Sequence, residues 1–118
     1  MSITVNAIAY ADDTNRTPDS SRYVSATNSL TVKDYVDLKR VAPKPSSDSL
    51  GKGRSMIKCT RTATDGTDPV GDLIVSIDGA FPVGTAEAEI EAAITDACTF
   101  AISAAGLDVF TNQKITHA

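Results

Sequence analysis

The sequence predicts an α+β fold, an antiparallel sheet followed by helices, from three observations. Apolar and polar residues alternate in successive segments up to Ile77. Clusters of Gly, Pro, Asp, Asn and Ser separate those segments at short intervals. Beyond Gly84 the apolar spacing lengthens to that of a helix. Alternation marks half-buried strands, and local turns between them make a meander. Strands first and helices last then put the helices on one face of the sheet.

The first strand is expected over Ile3–Ala9, with Ile3, Val5 and Ala7 alternating against Thr4, Asn6 and Ile8. The stretch from Asp12 to Ser20, DDTNRTPDS, is dense in turn formers and reads as a loop or wide hairpin turn. A short strand over Arg22–Ala26 follows, and Thr27-Asn28 connects it to the next. That next segment, LTVKDYVDLKRVAPKP from Leu30 to Pro45, puts Leu30, Val32, Val36 and Leu38 on one face and Lys33, Tyr35 and Lys39 on the other. Asp34 on the apolar face and Asp37 on the cationic one break the pattern. Pro43 and Pro45 offer no N–H to a ladder, so pairing ends before them, and APKPSSDSLGKG is a polar turn region.

RSMIKCTRTAT, Arg54 to Thr64, restarts the alternation, with Ile57, Cys59 and Ala63 against Met56, Lys58, Thr60 and Thr62. Asp65-Gly66-Thr67-Asp68-Pro69 is a strong turn, and Gly71–Ile77 is a strand with Leu73, Val75 and Ile77 inward. In the helical segment Thr85 is the expected N-cap, and Glu87 and Glu89 suit the positive end of the helix dipole. Ala86, Ile90, Ala93, Ile94, Ala97, Ala101 and Ala105 form one apolar stripe, which should end near Gly106. Leu107, Val109, Phe110 and Ile115 suggest a second, shorter helical or irregular segment.

At 118 residues, with 42% hydrophobic and 22% charged residues, the chain has the size and composition of one globular domain, 1–118, and not of a disordered protein. Aromatic residues make up only 5% and Trp is absent, so the core must lean on Val, Ile, Leu and Ala. So thin a core favours an obligate oligomer. The net charge of -4 argues against a generally basic nucleic-acid binder but leaves room for a local cationic face. MSITVNAIAY lacks the cationic flank and long apolar run of a signal peptide, and no segment approaches a membrane span. Synthesis in the cytoplasm without a membrane partner is therefore expected. Cys59 and Cys98 have no metal-ligand spacing and read as reduced, buried small hydrophobes, with a disulfide as the competing reading.

A meander of about five strands needs its apolar face covered, and one helix with a short tail covers only part of it. Two copies solve the problem if each lays its helices across the other's sheet while edge strands pair into a longer one. The opposite face would then present Lys33, Tyr35, Lys39, Met56, Lys58 and Thr60 twice about a two-fold axis.

In this order of elements, in YVDLKRVAPKP and in SMIKCT, the chain resembles the coat (capsid) proteins of small single-stranded RNA bacteriophages, levivirus-like. The resemblance implies an N-terminal β-hairpin, a five-stranded antiparallel sheet and C-terminal helices interlocked across a homodimer. It implies dimers that assemble in the host cytoplasm into an icosahedral shell, the virion capsid, around the RNA genome. By the same resemblance, the exposed sheet face lines the interior and can hold an RNA hairpin to repress translation. By position Lys33, Tyr35 and Lys39 match the first RNA-facing strand, Met56, Lys58 and Thr60 the second, and Ser76 the third. The lysines would neutralise phosphates, Tyr35 would stack on a base, and Thr60 or Ser76 would donate hydrogen bonds to base or ribose. Asp65, Gly66, Thr67, Asp68 and Pro69 correspond to the loop between dimers at the symmetry axes, here without cysteine.

Plainer readings stand beside these. Strand surfaces commonly carry lysine, Tyr35 fits surface packing, and Met56 is a weak recognition residue. Asp37 and Asp72 on the same face repel phosphate, which favours non-specific packaging over tight hairpin binding. Outside the family, a dimeric RNA-binding module or a small-ligand-binding α+β domain that forms no shell would use the same pattern. An enzyme finds little support. The only histidine, His117, is next to the last residue. Gly51-Lys52-Gly53 lacks the rest of a phosphate-binding loop, and no ligand set calls for a cofactor or metal. Asp12, Asp13, Asp65 and Asp68 could bind calcium in principle, yet turn chemistry accounts for them.

Overall fold

A computed structural model describes residues 2–115, the side chains of residues 2 and 13–16 excepted; His117 lies outside the described residues. The chain divides into two compact units, Met1–Val83 and Gly84–Ala118. The first is a sheet of β1 (Ser2–Val5), β2 (Ile8–Thr17), β3 (Ser20–Ser25), β4 (Asp34–Val41), β5 (Lys52–Thr64) and β6 (Pro69–Pro82). All neighbours are antiparallel, and their order across the sheet is their order in the chain. The second unit holds α1 (Glu87–Ala101) and α2 (Ala104–Thr111). The expected α+β class and meander are present, with the N-terminal hairpin forming the first two strands of one six-stranded sheet.

The start of the chain differs from expectation. The strand expected over Ile3–Ala9 is a hairpin that turns at Asn6 and Ala7, where φ is 50° and 66°. Two consecutive left-handed residues make the tight turn whose twist matches that of the flanking strands. The loop expected over Asp12–Ser20 is mostly strand. β2 continues to Thr17, only Pro18 and Asp19 turn, and a shift of register between Asp12 and Arg16 absorbs the misfit. Local turn preferences lose here to pairing with β3.

The segment from Leu30 also needs correcting, because β4 begins only at Asp34. Leu30 is fully exposed and Val32 is 41% exposed. The polar side chains before Asp34 bind backbone instead of leaving it to a ladder. Ser29 Oγ accepts from Val32 N–H at 3.1 Å, and Asn28 Oδ1 accepts from Asp34 N–H at 3.0 Å. β4 stops at Val41, before Pro43 and Pro45.

The core of the sheet unit is Tyr10, Tyr23 and Val36, with Ile3, Val5, Leu38 and Cys59 packed against it. Asp34, the acidic break in the apolar face, is accommodated by hydrogen bonds. It accepts from Tyr10 Oη at 2.7 Å and from Thr27 Oγ1 at 2.7 Å, and Arg61 Nε lies 3.6 Å away. On the same face, Leu73, Val75 and Ile77 of β6 and Ile57 of β5 are 47%, 51%, 44% and 47% exposed. The alternation expected of this apolar row holds, with each side chain about half-exposed.

In the helical unit, Glu87 and Glu89 sit in the first turn of α1 as expected, but the N-cap is Ala86 rather than Thr85, with no side-chain cap. Gly106 does not end a helix. The break comes earlier, at Ile102-Ser103, where Ser103 Oγ accepts from Gly106 N–H at 3.2 Å and caps α2. Gly106 is buried inside α2, where a Cβ would collide with the Phe100 carbonyl oxygen. Cys59 and Cys98 are free thiols, and both are half-buried rather than buried.

Candidate nucleic-acid interface

The ladder register decides which side chains share a face. Tyr35 pairs with Thr60, which pairs with Ile74; Asp37 pairs with Lys58, which pairs with Ser76; and Lys39 pairs with Met56, which pairs with Asp78. Directly paired residues lie on the same side of a pleated sheet. The expected residues Tyr35, Lys39, Met56, Lys58, Thr60 and Ser76 are therefore brought together on one face of β4, β5 and β6. Lys33 precedes β4 yet stays hydrogen-bonded to β5. Its N–H donates to Thr62 Oγ1 at 2.7 Å, and its carbonyl accepts from Thr62 N–H at 2.9 Å.

Three cations on this face went unassigned in the sequence. Arg22 pairs with Asp37 across β3 and β4, and Lys52 and Arg54 stand four and two residues before Met56 on β5. The alternation that puts Met56 and Lys58 outward places Lys52 and Arg54 with them, so that signal was available. Arg22 could be assigned only once the β3–β4 register was known. Arg22, Lys33, Lys39, Lys52, Arg54 and Lys58 thus outnumber Asp37, Asp72 and Asp78 on a chain whose total charge is negative.

Some of this positive charge is already compensated. Arg22 Nε donates to Asp37 Oδ1 at 2.7 Å and Nη2 to Oδ2 at 3.4 Å, while its guanidinium lies 4.0 Å from the centre of the Tyr35 ring. Lys33 Nζ donates to Asp72 Oδ2 at 2.8 Å, and this hydrogen bond and charge raise the lysine pKa. Among the described residues no ion pair reaches Lys39, Arg54 or Lys58. A shallow depression of about 250 Å³ lies beside Lys39 and Lys58, bordered also by Ser20, Arg22, Asp37 and Met56.

Thr60 departs from its expected exposure. It is only 2% exposed, and its Oγ1 has no hydrogen-bond partner among the described residues. A buried hydroxyl without a partner costs about 1–3 kcal/mol.

The expected loop is a turn from Asp65 to Asp68, and Pro69 opens β6 opposite Thr64. Asp65 Oδ1 accepts the N–H groups of Thr67 at 2.9 Å and Asp68 at 2.8 Å, which lowers the pKa of this carboxyl. Turn chemistry therefore accounts for Asp65. Gly66 takes φ of 104°, a value reserved for glycine.

Solved chains of virus-like particles share this fold. The chain superposes on a chain of the virus-like particle of Wenzhou levi-like virus 4 with a TM-score of 0.75, at 18% identity, over 97% of this chain and 82% of the other. For the particle of bacteriophage GQ-907 the TM-score is 0.76, at 14% identity, over 98% and 90%. For Beihai levi-like virus 32 it is 0.71, at 22% identity, over 92% and 84%. The fold is that of levi-like virus particle proteins. No family model and no curated protein matches the sequence. Among the described residues no single helix is long and apolar enough to cross a membrane.

Proposed function

We propose that this chain is a non-enzymatic capsid protein whose homodimers assemble into an icosahedral shell around single-stranded RNA. The observation that carries the reading is a sheet with more cations than acids on one face and an exposed apolar row on the other. Lys39, Arg54 and Lys58 stand on the first, and the exposed row of Ile57, Leu73, Val75 and Ile77 on the second. The levi-like fold adds to it, because the solved structures named above are virus-like particles.

In the proposed dimer the outer edges of β6 from two copies pair, and the helices of each copy cover the apolar row of the other. β6 is the last strand of the sheet and is 14 residues long, so pairing would remove a long free edge. The helices carry exposed Ile94, Phe100, Leu107 and Phe110 suited to such an interface. The cationic face would then line the interior, with Lys33, Tyr35, Lys39, Met56, Lys58, Thr60 and Ser76 towards RNA. The Asp65–Pro69 turn would meet neighbouring dimers. Non-specific packaging takes precedence over hairpin repression, because Asp37 and Asp72 already hold two of the cations.

Electron microscopy and size-exclusion chromatography of the expressed chain test the shell. Uniform closed particles holding nuclease-protected RNA are expected; a dimer that stays soluble with and without RNA removes the shell. Charge reversal of Lys33, Lys39 and Lys58 together to Glu should lower the encapsidated RNA. Mutant particles with the normal RNA load would show that another surface faces the genome.

A further inference from the structure

We infer that Arg22, and not Tyr35, is the surface on which an RNA base stacks; this rests on the RNA-facing role of the sheet proposed above. A base needs a flat face that is both held still and open to solvent. The Tyr35 ring is already covered on one side by the Arg22 guanidinium, at 4.0 Å from its centre. Guanidinium planes accept stacked bases as aromatic rings do. The Arg22 plane is fixed from two directions, by the ring beneath it and by the fork to Asp37 at 2.7 and 3.4 Å. Even so held, the side chain keeps 33% of its surface exposed. It borders the depression shared with Lys39, Met56 and Lys58, so a phosphate neutralised by those lysines would have its base within reach of the plane.

The division of labour follows from charge. Asp37 cancels the positive charge of Arg22 at close range, so Arg22 adds little to phosphate attraction and contributes a flat surface. Lys39, Arg54 and Lys58 supply the attraction. Tyr35 is a positioning residue that supports the guanidinium from below. Arg22→Lys separates these roles, because it keeps the charge beside Asp37 and removes the plane.

Binding of the full-length chain is measured with a short oligoadenylate and with an abasic oligoribonucleotide of equal length, each across a range of salt. Arg22→Lys should weaken oligoadenylate binding roughly 5- to 100-fold, the worth of one stacked base. Its salt slope and its abasic binding should not change. Lys58→Ala should lower the slope by about 0.7 on both probes, as the loss of one phosphate contact does. Arg22→Met should likewise lower the ratio of oligoadenylate to abasic affinity, whereas a Tyr35 stacking face would be uncovered by it and the ratio would rise, which keeps the inference testable if Arg22→Lys fails to fold. Tighter oligoadenylate binding by Arg22→Lys would overturn it, since that result means Tyr35 is the stacking face and Arg22 its cover. An equal loss on both probes would make Arg22 a phosphate ligand and overturn it too. A wild-type chain with no salt-dependent RNA binding removes the RNA reading itself, an outcome distinct from either.

Discussion

Tyr10 donates its phenolic hydrogen to Asp34 across 2.7 Å, joining β2 to the first residue of β4 over 24 positions of sequence. Tyr10 is 1% exposed, and Arg61 of β5 reaches the same pair, with Nη2 3.4 Å from the Tyr10 hydroxyl. Burial first, and then the bond to Asp34, raises the Tyr10 pKa, so the phenol remains a donor at any ordinary pH. Tyr10→Phe should destabilise the chain by about 1 kcal/mol in urea unfolding. Asp34→Ala should cost more, about 2–3 kcal/mol, because it strands a buried hydroxyl and removes the partner of Arg61. The two losses should not add, since both remove the same bond.

Acid should weaken this cluster. Burial alone would raise the Asp34 pKa, but hydrogen bonds from Thr27, Tyr10 and Ser25 and the charge of Arg61 outweigh it and hold the carboxyl below its ordinary value. A depressed carboxyl contributes stability above its unfolded pKa, near 3.9, and loses it as pH falls through the folded value. Unfolding midpoints should therefore fall below about pH 4, and Asp34→Asn should flatten that part of the profile. A profile of unchanged steepness in Asp34→Asn would assign the acid sensitivity elsewhere.

Helix propensity alone says that Gly106→Ala should stabilise α2 by about 1 kcal/mol. The collision of the new Cβ with the Phe100 carbonyl oxygen predicts the opposite sign. A thermal melt followed by circular dichroism should show a loss of about 1–3 kcal/mol, as overpacking generally produces.

Val75 lies at the middle of the exposed row on β6, with Leu73 and Ile77 on either side. Val75→Asp should leave the far-UV spectrum of the chain intact and abolish the dimer and all particles in light scattering. Particles of normal size from this variant would show that the row is not the dimer contact.

Asp72 holds Lys33 at 2.8 Å on an exposed surface. Asp72→Asn should release that lysine and steepen the salt dependence of RNA binding by about 0.7, one further phosphate contact. Filter binding across a salt series measures it.

Much of the fold was legible because its signals were periodic. Alternation through Val36, Leu38, Cys59 and Val75 placed β4, β5 and β6 and assigned their faces correctly. The N-terminal strands were misread because Asp12–Ser20 consists of residues that prefer turns in isolation, and only pairing with β3 makes them extended. Leu30 and Val32 fit the apolar pattern by accident, since Asn28 and Ser29 had already bound the backbone nearby. On the cationic face the lysines were visible and the ion pairs were not. That Asp37 faces Arg22, or that Asp72 reaches Lys33 across 39 positions, depends on registers between strands that no local pattern encodes. The burial of Thr60 was hidden for the same reason.

The strictly sequential order of the sheet has a kinetic meaning. Each strand pairs with the one made just before it, so every hairpin can close as soon as its second strand is synthesised. The sheet then grows in one direction along the nascent chain. β6, with its long free edge and its apolar row, comes last among the strands, and α1 and α2 follow almost at once. The surface able to pair with foreign strands is thus the last part of the sheet to be made, after every other strand already has its partner.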